Sequence, residues 1–186
     1  TNSDEFRNAL NNVADGGMIE LAAGTYPAPT AGFNIPYDFD RGFSIRAAEG
    51  AIVTLDGQGK NPILKYHKNG IAASKLITIS DITFTNGYAD IGAAAKIEGA
   101  NMVFVRCRFL HNQAKLYAGA VSLVSSVALF VDGTWDDNSA TQWGGALGAN
   151  DNATVYLYRA TFTNNSAAKA GHSPTAAGGA VHLGNA

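Results

Sequence analysis

Cysteine is nearly absent. Cys107 stands alone in the chain, which excludes an internal disulfide framework and a cysteine metal cluster. Charge is sparse as well: 15% of the residues are Asp, Glu, Lys or Arg, and the formal net charge is −2. Neither nucleic acid nor an anionic membrane surface would find an electrostatic footprint on such a chain. No apolar run approaches the roughly 20 residues of a bilayer span, so membrane insertion by this segment is not expected. Thr1 is not followed by a charged-then-apolar leader, and a secretion signal is expected to lie outside this segment or to have been removed. Low charge does not mean disorder here. Hydrophobic residues make up 46% of the chain, enough for one domain with a substantial core, and the excess of Gly and Ala suits tightly stacked coils.

What is present is a repeat. Asn86, Asn112, Asn138 and Asn164 follow one another at a fixed step of 26, each closing a phrase with an aromatic two or three positions earlier. A second phrase reads GAAAKI from Gly92, AGAVSL from Ala118, GGALGA from Gly144 and GGAVHL from Gly178, and a third reads ITIS, VFVR, LFVD and VYLY from Ile77, Val103, Leu129 and Val155. The second phrase keeps the period except once: the step from Gly145 to Gly179 is 34, so eight residues have been added within 167–177. Short alternating strands separated by Asn- and Gly-bearing corners predict a three-sided coil that stacks on its neighbours about 4.8 Å apart. The fold expected is an all-β, right-handed parallel β-helix with three short strands and about 26 residues per coil, about six coils, and an N-terminal capping helix. An inward asparagine column would hydrogen-bond the corner amides of adjacent coils.

A constant period assigns faces by alternation. Ile77, Val103, Leu129 and Val155 are expected inside, with Ile79, Val105, Val131 and Leu157 beside them. Thr78, Phe104, Phe130 and Tyr156 are expected outside. On the next side Val121, Leu123, Leu147, Ala149, Val181 and Leu183 should point in, and Ala120, Ala146 and Ala180 should line an outer strip of small residues with Ser122, Gly148 and His182. The whole chain, 1–186, reads as one domain. Residues 1–17 supply the capping helix, with Phe6, Ala9, Leu10 and Val13 at helical spacing. Residues 18–76 supply early coils with a proline-containing loop at 27–40, and 77–186 the regular coils with a loop insertion at 167–177. The last edge, 178–186, ends without a charged gatekeeper or a proline, and the segment is expected to be an excerpt of a longer chain; the alternative is an edge covered by a neighbouring molecule or by the 27–40 loop.

The GGA-plus-aliphatic phrases at Gly144 and Gly178, alternating with FxxN phrases at Phe109 and Phe162, resemble the repeats of polymorphic outer-membrane proteins. The opening stretches SDEFRNAL, GGMIELAAGTY and LITISDITFTNG resemble the first coils of the wider pectate-lyase-like superfamily. The first resemblance implies a secreted or cell-surface location and an adhesin-like or autotransporter-passenger role. The second supports the fold more than an activity, because one fold hosts many functions.

The search for chemistry starts from the outer face. Lys96 and Glu98 lie two apart on one outward strand face and Asp132 falls one period after Arg106, a set that could serve a polysaccharide lyase. A cross-coil ion pair is the plainer reading of Arg106 and Asp132, and Cys107 sits at the turn between Arg106 and Arg108. Glycoside hydrolysis needs two facing carboxylates, whereas Asp136 and Asp137 are adjacent in a corner. His67, His111, His172 and His182 share no ligand spacing, so neither a metal nor a cofactor is expected. The binding candidates are Phe104, Phe130 and Tyr156, one coil apart, with Tyr158 above Asp132 and Arg106. An exposed aromatic column would suit sugar rings or a partner protein, although a lateral loop could cover it. The expectation is a non-enzymatic extracellular domain for adhesion, recognition or assembly, with a surface polysaccharide or protein as ligand and end-to-end or lateral self-association possible. A pectate-lyase-like enzyme and a structural filament component are the alternatives.

Overall fold

The computed structural model describes residues 2–36, 41–68, 74–167 and 178–184. The chain is a parallel β-solenoid of about five turns, with roughly 26 residues per coil and one N-terminal helix. Three six-stranded parallel sheets form its long sides. Sheet A contains Met18–Leu21, Phe43–Ala47, Leu76–Ser80, Asn101–Val105, Val127–Val131 and Thr154–Tyr158. Sheet B runs from Gly24–Pro27 to Thr161–Thr163, and sheet C from Phe33–Ile35 through Leu64–His67 and Ala95–Glu98 to Val181–Leu183. A fourth sheet, D, joins Tyr88–Ile91, Gln113–Tyr117, Ser139–Ala140 and Ser166–Ala167, so the later coils carry one side more than the three expected.

The helix, Asn2–Asn12, lies over the first coil. Phe6 and Leu10 are buried, and the Phe6 ring packs 4.8 Å from Phe33 and 6.2 Å from Tyr26. One apolar stripe thus shields the open end of the core, as expected from its spacing. The proline-containing loop is less of an excursion than its composition suggests, because Phe33–Ile35 starts sheet C within it; residues 37–40 lie outside the described residues. So does almost all of the insertion, at 168–177, with His172.

The faces of sheet A correct the alternation. Along the solenoid Ile79 pairs with Phe104, Phe104 with Phe130 and Phe130 with Leu157, at steps of 25, 26 and 27 in sequence number. The mean is 26, but the short first step shifts the strands Asn101–Val105 and Val127–Val131 by one position and exchanges their faces, and the long last step restores the expected faces in Thr154–Tyr158. Met102, Phe104, Ala128 and Phe130 are buried in the core, and Val103, Val105, Leu129 and Val131 are half-buried on the outer face. Ile77 and Ile79 point inward as expected. Val155 and Leu157 also turn to the interior side, but Leu157 remains 42% exposed because its strand is the last of sheet A. Sheet C keeps its predicted register: Val121 pairs with Leu147 and Leu147 with Val181.

Inside, rings stack from coil to coil. Phe84, Phe109, Trp135 and Phe162 of sheet B form a continuous pile with centroids 5.1, 5.1 and 4.5 Å apart. Phe104 and Phe130 stack at 4.8 Å and meet that pile edge-on. Edge-to-face contacts of this kind add to the burial of each ring.

The asparagine column is real but differs in membership. Asn112 donates from Nδ2 to Asn138 Oδ1 at 3.0 Å, and Asn138 donates from Nδ2 to Asn165 Oδ1 at 2.9 Å. The Oδ1 atoms of Asn112, Asn138 and Asn165 accept the backbone N–H groups of Gly87, Asn112 and Asn138 at 2.8, 3.0 and 3.0 Å. Asn86 and Asn164 stand one position earlier, exposed, with φ of 53°. They share that left-handed corner with His111 and Asp137, a conformation asparagine tolerates better than most residues. Gly87 occupies the ladder position in its coil, so the column ends there.

Candidate functional site

The small-residue strip on sheet C is not a surface. Ala120, Ser122 and Ala146 are fully buried, and Gly148 is buried with them. The passage from sheet D to sheet C turns through left-handed Gly92, Ala118, Gly144 and Gly178 and comes down on that face. A Cβ on Gly148 would lie 3.0 Å from the Ala118 Cβ, and one on Gly92 would lie 2.8 Å from the Ser122 Cβ. Tyr117 packs on Trp143, and Trp143 stacks on His182, further closing the face. His182 therefore belongs to a packed aromatic pair.

Sheet C stays open where its first three strands lie. There the chain forms a cleft of about 570 Å³ lined by Asn34, Lys65, His67, Lys96 and Glu98, with Ile35, Pro36 and Tyr66 as its apolar part. Period-two alternation places these polar side chains on one face: Asn34 pairs in register with Lys65 and Lys65 with Lys96, while His67 pairs with Glu98. Neighbouring strands bring the two ammonium stems to within roughly 4.8 Å at the backbone. Lys96 Nζ lies 2.8 Å from Glu98 Oε1, and His67 Nδ1 contacts the other carboxylate oxygen. Burial raises the Glu98 pKa, but the hydrogen bonds from Lys96 and His67 and their charge outweigh it, and the carboxyl lies below its ordinary value. Glu98 is therefore ionised and holds both neighbours. Lys65 also lines a second cleft of about 290 Å³, with Thr30, Lys60, Tyr88, Asp90 and Lys115. In that cleft Lys115 pairs with Asp90 at 2.9 Å and sits 5.4 Å from the centre of the Tyr88 ring.

The expected binding column divides. Phe104 and Phe130 are core residues and reach no ligand, since they are 1% and 0% exposed. Tyr156 and Tyr158 are exposed on the last strand of sheet A, where the Arg159 guanidinium lies 4.5 Å from the Tyr158 ring centre. The residues in register with Tyr156 are not rings but Leu129 and, one coil further back, Val103.

The remaining candidates for chemistry are structural. Arg106 is bound to Asp81 at 2.6 and 2.8 Å, and Asp132 to Arg159 at 2.5 and 2.7 Å. These four residues occupy successive left-handed corners between sheets A and B. Arg106 thus pairs towards the preceding coil, not with Asp132 as the spacing suggested. Hydrogen bonds from Arg106 and Arg159 hold Asp81 and Asp132 below the usual carboxylate range. Asp136 accepts from Thr163 and Asn164, which lowers it too, whereas a glycosidase acid needs a raised pKa. Burial pushes the Cys107 thiol up to about 12, so it stays neutral and unreactive. Among the described residues no three His, Cys, Asp or Glu side chains gather to hold a metal ion, and no helix is long and apolar enough to cross a membrane.

No protein-family model, curated protein or solved structure matches the chain. Sequence reasoning placed Lys96 and Glu98 together but missed Lys65, His67 and Asn34. The step from Asn34 to Lys65 and from Lys65 to Lys96 is 31, which falls outside a search at period 26. The signal was the Lys-x-His and Lys-x-Glu pairs, each of which alternates outward around a buried apolar residue.

Proposed function

We propose that this chain is a non-enzymatic recognition domain of a secreted or surface protein, and that its sheet C cleft binds a carboxylate-bearing polysaccharide. The observation that carries the reading is the position of Lys65 and Lys96 on adjacent strands, side by side on one open face with Asn34. Two ammonium groups and an amide satisfy a carboxylate and neighbouring hydroxyls, and the half-buried Pro36 at the cleft's edge offers an apolar contact to the face of a sugar ring. The contact between Lys96 and Glu98 argues for binding over lyase chemistry, because the Lys96 Nζ is engaged by a carboxylate at 2.8 Å that a proton-abstracting amine would first have to leave. Location rests on the repeat resemblance.

Calorimetric titration with oligogalacturonate and alginate oligomers tests this, with neutral oligomers of equal length as controls. Acidic oligomers should bind, and the affinity should fall with added salt because the contacts are charged and partly exposed. Lys65→Ala combined with Lys96→Ala should weaken binding at least about tenfold, the loss of roughly 1.4 kcal/mol or more. Equal binding of neutral oligomers would remove the lysines from the account. Ultraviolet-absorbing unsaturated products accumulating in the same mixtures would overturn the non-enzymatic reading.

A further inference from the structure

The corrected register leaves sheet A with an apolar outer face. Val103 and Val105 on one strand, then Leu129 and Val131 on the next, form its centre, and Val127 is 41% exposed at its margin. Tyr156 and Tyr158, 57% and 55% exposed, stand at one end of two of the three outward columns, the third being Leu76, Asn101, Val127 and Thr154. Thr78 and Ser80 stand beyond the valines on the other side. Along one border runs the corner column Asp81, Arg106, Asp132, Arg159, alternating in sign.

We infer that this face associates with a second copy of the chain, packed face to face about a two-fold axis parallel to the strands, so that the two solenoids run antiparallel. That operation lays each column on its own reverse. Asp81 then faces Arg159 of the other copy and Arg106 faces its Asp132, so every corner charge meets one of opposite sign. Size is complementary by the same reversal. Tyr156 meets Thr78, Tyr158 meets Ser80, and at the centre Val103 meets Leu129 and Val105 meets Val131. In these two columns large side chains fall on small ones at both ends and aliphatic on aliphatic in the middle, while in the third Leu76 meets Thr154 and Asn101 meets Val127. A parallel arrangement of the solenoids would bring the charged border onto the opposite margin of the sheet and lose this match. Self-complementarity of one patch is what a two-fold interface requires.

The area sets the strength. Four strands about 4.8 Å apart and five residues at about 3.3 Å each span a face of roughly 19 by 17 Å. That is smaller than a standard stable interface and belongs with the weak, transient class, so the dimer is reversible and depends on concentration. The association uses sheet A and is independent of the cleft on sheet C.

Sedimentation velocity over a range of protein concentrations tests it. The wild-type chain should shift from monomer to dimer, and Leu129→Lys should remain monomeric while keeping its circular dichroism spectrum. Asp81→Arg alone sets two guanidinium groups against each other across the interface, and Arg159→Asp alone sets two carboxylates against each other. Each should weaken self-association at least about tenfold, and mixing the two variants should restore the dimer. A wild-type chain that stays monomeric at the highest concentration would overturn the inference. So would dimers indifferent to Leu129→Lys, or variants that fail to rescue each other.

Discussion

Asn138 hydrogen-bonds in both directions along the solenoid axis: its Oδ1 accepts from the backbone and side chain of Asn112, and its Nδ2 donates to Phe109 O and Asn165 Oδ1. The Asn138 side chain is buried, so Asn138→Ala strands donors and acceptors that water cannot reach. The expected loss is about 2–5 kcal/mol, taking about 1–3 kcal/mol for each orphaned group, read as a shift in the urea midpoint. Asn86 has the same repeat spacing but faces solvent in a left-handed corner with φ of 53°. Asn86→Gly should change stability by no more than about 0.5 kcal/mol. The sequence shows the column but not which of two neighbouring asparagines, Asn164 or Asn165, belongs to it, since both can take a corner and only the backbone step of 27 from Asn138 decides. The corner carboxylates add a pH dependence. Asp81 and Asp132 have folded pKa values below their unfolded ones, through the hydrogen bonds from Arg106 and Arg159. Their contribution is present above the unfolded value near 4 and is lost as pH falls through the folded value. The calorimetric melting temperature should therefore drop as pH falls below about 4, and less steeply in Asp81→Asn combined with Asp132→Asn.

The strand VFV at Val103–Val105 is apolar on both faces, as is LFV at Leu129–Val131, so hydrophobic alternation alone cannot orient it. Stacking decides. Phe104 and Phe130 fill the interior beside the pile of Phe109 and Trp135, where a ring buries more area than valine. Phe130→Ala should then cost about 3–5 kcal/mol, as expected for an aromatic truncated in a core, whereas Tyr156→Ala should cost under about 1 kcal/mol. Chemical denaturation of the two variants measures both, and near-equal losses would contradict the register. On sheet C the reading succeeded because its strands alternate aliphatic with polar or small residues: Lys96 lies between Ala95 and Ile97, and Ser122 between Val121 and Leu123. The covering of that sheet by the Ala118 and Gly144 turns was not legible, for it depends on left-handed corners that fold one coil side over the next.

At the scale of the molecule, the repeat that announces the solenoid is most regular where the chain only stacks, and the cleft lies where the repeat is longer. Strands Phe33–Ile35, Leu64–His67 and Ala95–Glu98 follow one another at a step of 31 rather than 26, and on them Asn34, Lys65, His67, Lys96 and Glu98 converge. The stacking period was therefore readable, and of the cleft only Lys96 and Glu98 were, because no single phrase of the sequence contains it. The described surface includes an open polar cleft on sheet C and an apolar, charge-bordered face on the last strands of sheet A. The measurement that bears most directly on the proposed recognition role is amide chemical-shift mapping of the isotopically labelled chain during titration with an acidic oligosaccharide. Saturable shifts should cluster at Asn34, Lys65, His67, Lys96 and Glu98, with sheet A unaffected. Shifts centred on Tyr156 and Tyr158, or none at saturating oligosaccharide, would contradict it.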